Sequence, residues 1–221
     1  MGLFNFDNVF FRGMNKLVDC VYVSFLWLIC CIPIFTIGAS TSALYYTVHK
    51  SIRGGRAYVG RSFFHAFRQN FKQATLSWLV MLLVLLVLIF DAWFMREMLA
   101  QGEQIGVMFY VFCVGILFAV GWGCYMFPYV ARFENTVRAT LKNAVLLELR
   151  HLPWSLLLIL LSLLEAFLIW LIWPLIFILP AFTYLVFNEI LERIFRRYMS
   201  EEDLKREMEI EQEDKRESMM R

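Results

Sequence analysis

Apolar and polar positions fall along this chain in long blocks. Nothing charged lies between Asp19 and Lys50, between Lys72 and Asp91, or between Glu103 and Arg132. Between Arg150 and Glu189 the one interruption is Glu165. A helix needs about 20 apolar residues to cross about 30 Å of hydrocarbon. The first three blocks supply one such helix each. The fourth has room for two tight helices if the chain turns near Trp173–Pro174, because proline removes a backbone donor and clashes with the preceding turn. The pattern predicts five spans, about 20–44, 73–95, 105–128, 153–172 and 174–192, in a single transmembrane domain over 1–198. Continuous apolar runs exclude a transmembrane β-barrel, whose strands alternate. The expected class is therefore all-α, a polytopic helical membrane bundle.

Three segments outside the spans also have helical periodicity. In 1–19, Leu3, Phe6, Phe10, Met14 and Leu17 recur at three- and four-residue steps, with Asn5, Asn8, Arg12 and Asn15 facing away. This predicts an amphipathic helix, lying on the bilayer or packed against the bundle. In 61–72, Phe63, Phe67 and Phe71 share one face, and Arg61, Arg68 and Lys72 add positive charge. Lipid or a partner protein is the expected contact there, anionic lipid first. Residues 132–150 read as a second elbow, with Val137, Leu141 and Val145 on one stripe. The tail 199–221 mixes acids and bases behind a capping-box spacing at Ser200 and Asp203 and reads as a solvated helix or loose tail.

Composition agrees with the blocks. Hydrophobic residues make up 60% of the 221 and charged residues 18%, more apolar surface than a soluble domain of this size can hide. The net charge of +2 gives no reason to expect a nucleic-acid partner. Lys and Arg set the orientation. Segment 49–72 carries six and no acid, 132–151 carries four, and loop 91–104 carries only Arg96. The first two segments and the tail are thus expected on the cytoplasmic side of a plasma membrane. Parity of five spans then puts the N-terminus outside, where Arg12 and Lys16 fit poorly. A re-entrant hairpin over 20–48, broken at Pro33 and Gly38, would bring it inside instead. An uncleaved first span is expected rather than a signal peptide. Trp78, Trp93, Trp154, Trp170 and Trp173 fall near span ends, as interfacial aromatics do, while Trp27 and Trp122 fall mid-span and need packing partners.

Candidate chemistry is sparse. Glu165 sits near the centre of the fourth span, where a charge costs at least about 2.5 kcal/mol, so it is the leading intramembrane polar candidate. It could relay protons or hold a substrate, or be bonded to a neighbouring helix. Gly115, Ala119 and Gly123 recur at four-residue steps and predict a close helix-packing face, within the bundle or between two copies of the chain. Residues 55–62 nearly spell a phosphate loop, but Arg61 stands where Lys belongs and no buried strand precedes, so the match is read as chance. The five cysteines suit small apolar roles. His49, His65 and His151 share no ligand spacing, so neither a metal nor another cofactor is expected. No nucleophile, base and oxyanion set assembles, and the chain is expected not to be an enzyme.

Taken in order, Leu26–Trp27, Pro33, Thr36–Leu44, Ser62–Phe64, Asn70–Thr75, Phe127–Pro128, Arg132–Phe133, Leu141–Ala144, Leu152–Pro153, Leu179–Ala181 and Phe195 resemble the YesL family of bacterial integral membrane proteins. The likeness runs to about residue 198. It implies a small multi-span protein of unknown biochemical activity, often accompanying carbohydrate ABC importers, with no family catalytic residue to carry over. The expected function is a non-enzymatic accessory role in carbohydrate uptake, beside importer subunits. The alternative is a small transporter or channel using Glu165. The inner segment 132–153 also invites comparison with an importer's ATPase-docking loop, but the Glu-Ala-Ala start and following Gly are absent.

Overall fold

The computed structural model describes residues 9–53 and 58–199. Most of the amphipathic 1–19 segment's first half, the start of the 55–62 loop and the charged tail beyond Met199 lie outside the described residues. Within them the chain is helical with no strand: α1 (Val9–Cys31), α2 (Ile37–Thr47), α3 (Val59–Ala100), α4 (Met108–Arg132), α5 (Val137–Arg150), α6 (Leu152–Leu171) and α7 (Leu179–Phe195). Four helical stretches are long and apolar enough to cross a membrane: Gly13–Cys31, Val59–Ala100, Gln104–Arg132 and Leu152–Leu171.

The expected span over 20–44 is instead a hairpin. Pro33 has no amide hydrogen to continue α1. The Thr36 hydroxyl donates to the carbonyls of Cys30 (2.6 Å) and Pro33 (2.7 Å), satisfying acceptors that the broken helix leaves open. A single 3-10 turn, Ile34–Thr36, then starts α2. Trp27 Nε1 donates to Thr41 (3.2 Å), and Ser40 donates to the Trp27 carbonyl (3.0 Å). Nearer the open end, Cys20 and Val23 pack with Val48, Ile52, Val59 and Phe63. The start of α1 and the start of α3 therefore lie on the same side of the bundle. This is the arrangement of the hairpin alternative over 20–48, broken at Pro33.

α3 merges two expected elements. No Gly or Pro falls between Arg61 and Ala100, so the 61–72 elbow and the 73–95 span form one helix of 42 residues, about 63 Å long. Its first half holds the hairpin. Gly38 is required there, because a Cβ would meet Trp78 Cβ at 2.5 Å and the Ala74 carbonyl at 2.6 Å. Trp78 Nε1 donates to the Ile34 carbonyl at 2.7 Å, fixing the hairpin tip. Its second half and the start of α4 present Leu83, Leu86, Ile89, Phe90, Val111 and Val114 outward, as lipid-facing helices do.

Every residue of α4 from Gly121 to Val130 is buried, and this stretch is the centre of the fold. α5 lies against it, with Trp122 Nε1 donating to the Leu141 carbonyl (3.2 Å). The stripe α5 buries is Thr140, Ala144, Leu147 and Glu148, displaced from the expected Val137, Leu141 and Val145, which are half-buried. After α6 the chain turns through Trp173–Phe177 into α7. α7 has 17 residues, about 25 Å, and carries Glu189, Glu192 and Arg193. It is shorter and more polar than the expected fifth span over 174–192.

Candidate functional site: a buried polar centre

The α4, α2 and α7 helices converge on a carboxylate, Glu192, that is 2% exposed. Arg132, the last residue of α4, approaches it with two nitrogens. Nη2 donates to Oε2 at 3.0 Å, and Nε lies 3.0 Å from Oε1. The second approach is a charge contact rather than a well-aligned bond. Tyr45 of α2 donates its hydroxyl to Oε1 at 2.8 Å. His49 Nδ1 stands 3.5 Å from the same oxygen and within 3.0–3.3 Å of the Asn188 side-chain amide.

Local structure explains each placement. Arg132 completes the C-terminal turn of α4, where the helix dipole favours a cation. Beyond Thr47 the helix widens into a π-helical segment, Val48–Arg53. Such widening re-aims side chains and recurs at functional positions. Here His49 stacks on Tyr45 one turn earlier, with ring centroids 6.5 Å apart and planes 3° apart. Asn188 and Glu192 are one turn apart on the buried face of α7. The centre thus ties the hairpin, the central helix and the last helix through one carboxylate. Chemically it is an ion pair with a hydroxyl and an imidazole beside it: it can hold elements together and bear a charge away from water.

A second buried carboxyl is arranged differently. Glu148, 1% exposed, points its carboxyl at Gly121 of α4, and Oε2 has no hydrogen-bond partner. A Cβ at position 121 would collide with Glu148 Oε1 and, at 2.8 Å, with Ile159. Burial pushes this carboxyl from its ordinary 4.5 up to about 8. Beside it the Ser155 hydroxyl donates to the Glu148 carbonyl (2.8 Å) and lies 3.1 Å from the Tyr125 hydroxyl.

The residues singled out from sequence are not brought together. Glu165 is half-buried on α6. Gly115 faces Leu88 of α3, Ala119 is buried, and Gly123 faces the Met81 thioether. On α3, Arg61, Arg68 and Lys72 are exposed, but Phe63 is wholly buried and Phe67 and Phe71 half-buried. Their rings pack on one another, Phe63–Phe67 at 6.3 Å and Phe67–Phe71 at 5.5 Å. The aromatic stripe therefore faces the hairpin, correcting the expectation that Phe63 contacts lipid. Ser62, at the end of the loop-like 55–62 stretch, accepts a bond from Ser51 (2.9 Å). No group of three metal-ligating side chains occurs among the described residues.

Sequence reasoning missed Arg132, Glu192, Tyr45, His49 and Glu148 as a set. Its one available signal was Glu192's position on the stripe of Tyr184, Phe187, Leu191 and Phe195, which predicts a buried acid in need of a cation.

Residues 20–92, about a third of the chain, match the family model described as "Protein of unknown function, DUF624". The matched stretch runs from the middle of α1 through the hairpin to most of α3. No curated protein matches, and no solved structure matches.

Proposed function

We propose that this protein is a YesL-type integral membrane protein of a bacterial plasma membrane. In this reading it acts without catalysis, as an accessory factor that associates with a carbohydrate ABC importer. The observation that carries the reading is the distribution of exposed cations. Arg61, Arg68 and Lys72 on α3, Arg138, Lys142 and Arg150 on α5, and Arg193 on α7 are all exposed. By the positive-inside rule this face is cytoplasmic, where an importer's ATPase and permease loops are accessible. In this reading the hairpin brings the N-terminus to the cytoplasmic side as well.

The test is purification of the tagged full chain from native membranes. Importer subunits are expected with it, and are expected to be lost when Arg61, Arg68 and Lys72 are changed to Glu. Absence of importer subunits from the wild-type preparation would overturn the proposal.

A further inference from the structure

We propose that the cavity between the start of α6 and the end of α7 binds the phosphodiester headgroup of a membrane lipid. The cavity holds about 370 Å³ and is lined by His151, Trp154, Glu189, Ile190, Arg193, Ile194 and Arg197. These side chains divide by chemistry. Arg193 and Arg197, one helical turn apart and both exposed, are the cationic rim. Glu189, one turn earlier, is its one carboxylate. Two guanidiniums against one carboxylate leave a single positive charge, the complement of a phosphodiester. Arginine suits the task, since its planar donors match phosphate oxygens in pairs.

His151 is no third cation: burial, then the charges of Arg150 and Arg197, lower its pKa. Its Nε2 lies 3.1 Å from the Tyr198 hydroxyl, which holds the ring at the cavity edge. Ile190 and Ile194 form an apolar wall, and Trp154 is 43% exposed at the mouth.

Cations at the end of α7 have an ordinary explanation in the helix dipole. That explains neither the cavity beside them nor the exposed indole opposite. The lipid source follows from position. The apolar run of α6 begins at Leu152, and the exposed residues of that helix are apolar along its whole length. A ligand with its phosphate at Arg193 and Arg197 has an apolar surface directly beside it for acyl chains, and Trp154 stands where interfacial aromatics stand. The site is separate from the Arg132–Glu192 centre, on the opposite face of α7, and does not depend on an importer.

The experiment is native mass spectrometry of the full chain released from detergent after titration with three probes: phosphatidylglycerol, diacylglycerol and inorganic phosphate. Phosphatidylglycerol is expected to be retained, diacylglycerol not, and inorganic phosphate at equal concentration not to displace the lipid. Arg193→Gln with Arg197→Gln removes two charge-assisted contacts and is expected to weaken retention roughly tenfold or more. Arg138→Gln on α5, outside the cavity, is expected to leave it unchanged. Equal retention of diacylglycerol, displacement by inorganic phosphate, or wild-type retention by the double variant would each overturn the proposal. The comparison of phosphatidylglycerol with diacylglycerol on the wild-type chain decides even if the variants fail to fold.

Discussion

Glu192 and Glu148 are hidden from water to nearly the same degree, 2% and 1% exposed. Around Glu192 the fold supplies a guanidinium, a phenol and an imidazole from two other elements. Around Glu148 it supplies a glycine, an isoleucine side chain and no partner for Oε2. Taking a carboxylate out of water costs several kcal/mol unless a counter-charge and hydrogen bonds offset it. The first site meets the cost with partners. The second avoids it by holding the proton to higher pH. One arrangement fastens three elements together, while the other makes stability depend on pH.

The largest effect is expected from separating the pair. Arg132→Ala leaves Glu192 buried without its cation, and breaking a buried pair costs about 3–5 kcal/mol. The variant should unfold at markedly lower temperature in detergent, followed by helical circular dichroism. An unchanged midpoint would mean that water reaches Glu192.

The lone carboxyl comes next. Because its folded value, about 8, lies above its ordinary 4.5, the folded state keeps a proton that the unfolded state releases between those pH values. Its contribution is neutral below about pH 4.5. Stability then falls as pH rises toward 8 and levels off above, by at most about 5 kcal/mol. Glu148→Gln should flatten that window. Wild type and variant with parallel pH profiles would show that Glu148 is hydrated.

Gly121→Ala sharpens the same side of the comparison. The added methyl meets the Glu148 carboxyl and Ile159, and overpacking of this kind costs about 1–3 kcal/mol. Shortening Glu148 to Ala in the same chain should recover part of the loss. The smallest effect is expected at the hairpin: Trp27→Phe removes the bond to Thr41 and should cost about 1 kcal/mol.

Much of the architecture was legible because it follows from block lengths. The all-α class, the turn near Trp173–Pro174 and the partners required by Trp27 and Trp122 follow from apolar runs, prolines and isolated polar atoms. The hairpin was harder to read. An uncharged run from Cys20 to Val48 looks like one span unless the break at Pro33 is given its own carbonyl cap, and Thr36 provides it from three residues away. The polar centre was not legible, because its members are 147 residues apart between Tyr45 and Glu192, and neither is unusual in its own segment. Glu165 drew notice because its neighbours are apolar, whereas Glu192 sits among charges that made it look solvated. Charge patterning reports the solvent a segment expects; it does not report which charges find one another after packing.

The central claim is that Arg132 and Glu192 act as one unit holding the hairpin and α7 to the central helix. A double-mutant cycle tests it most directly, with thermal or denaturant unfolding of wild type, Arg132→Met, Glu192→Leu and the double variant in the same detergent. Each single change is predicted to be strongly destabilising, and the double variant to be far more stable than the sum of the two losses, with a coupling of about 2–3 kcal/mol. Additive losses would contradict the account.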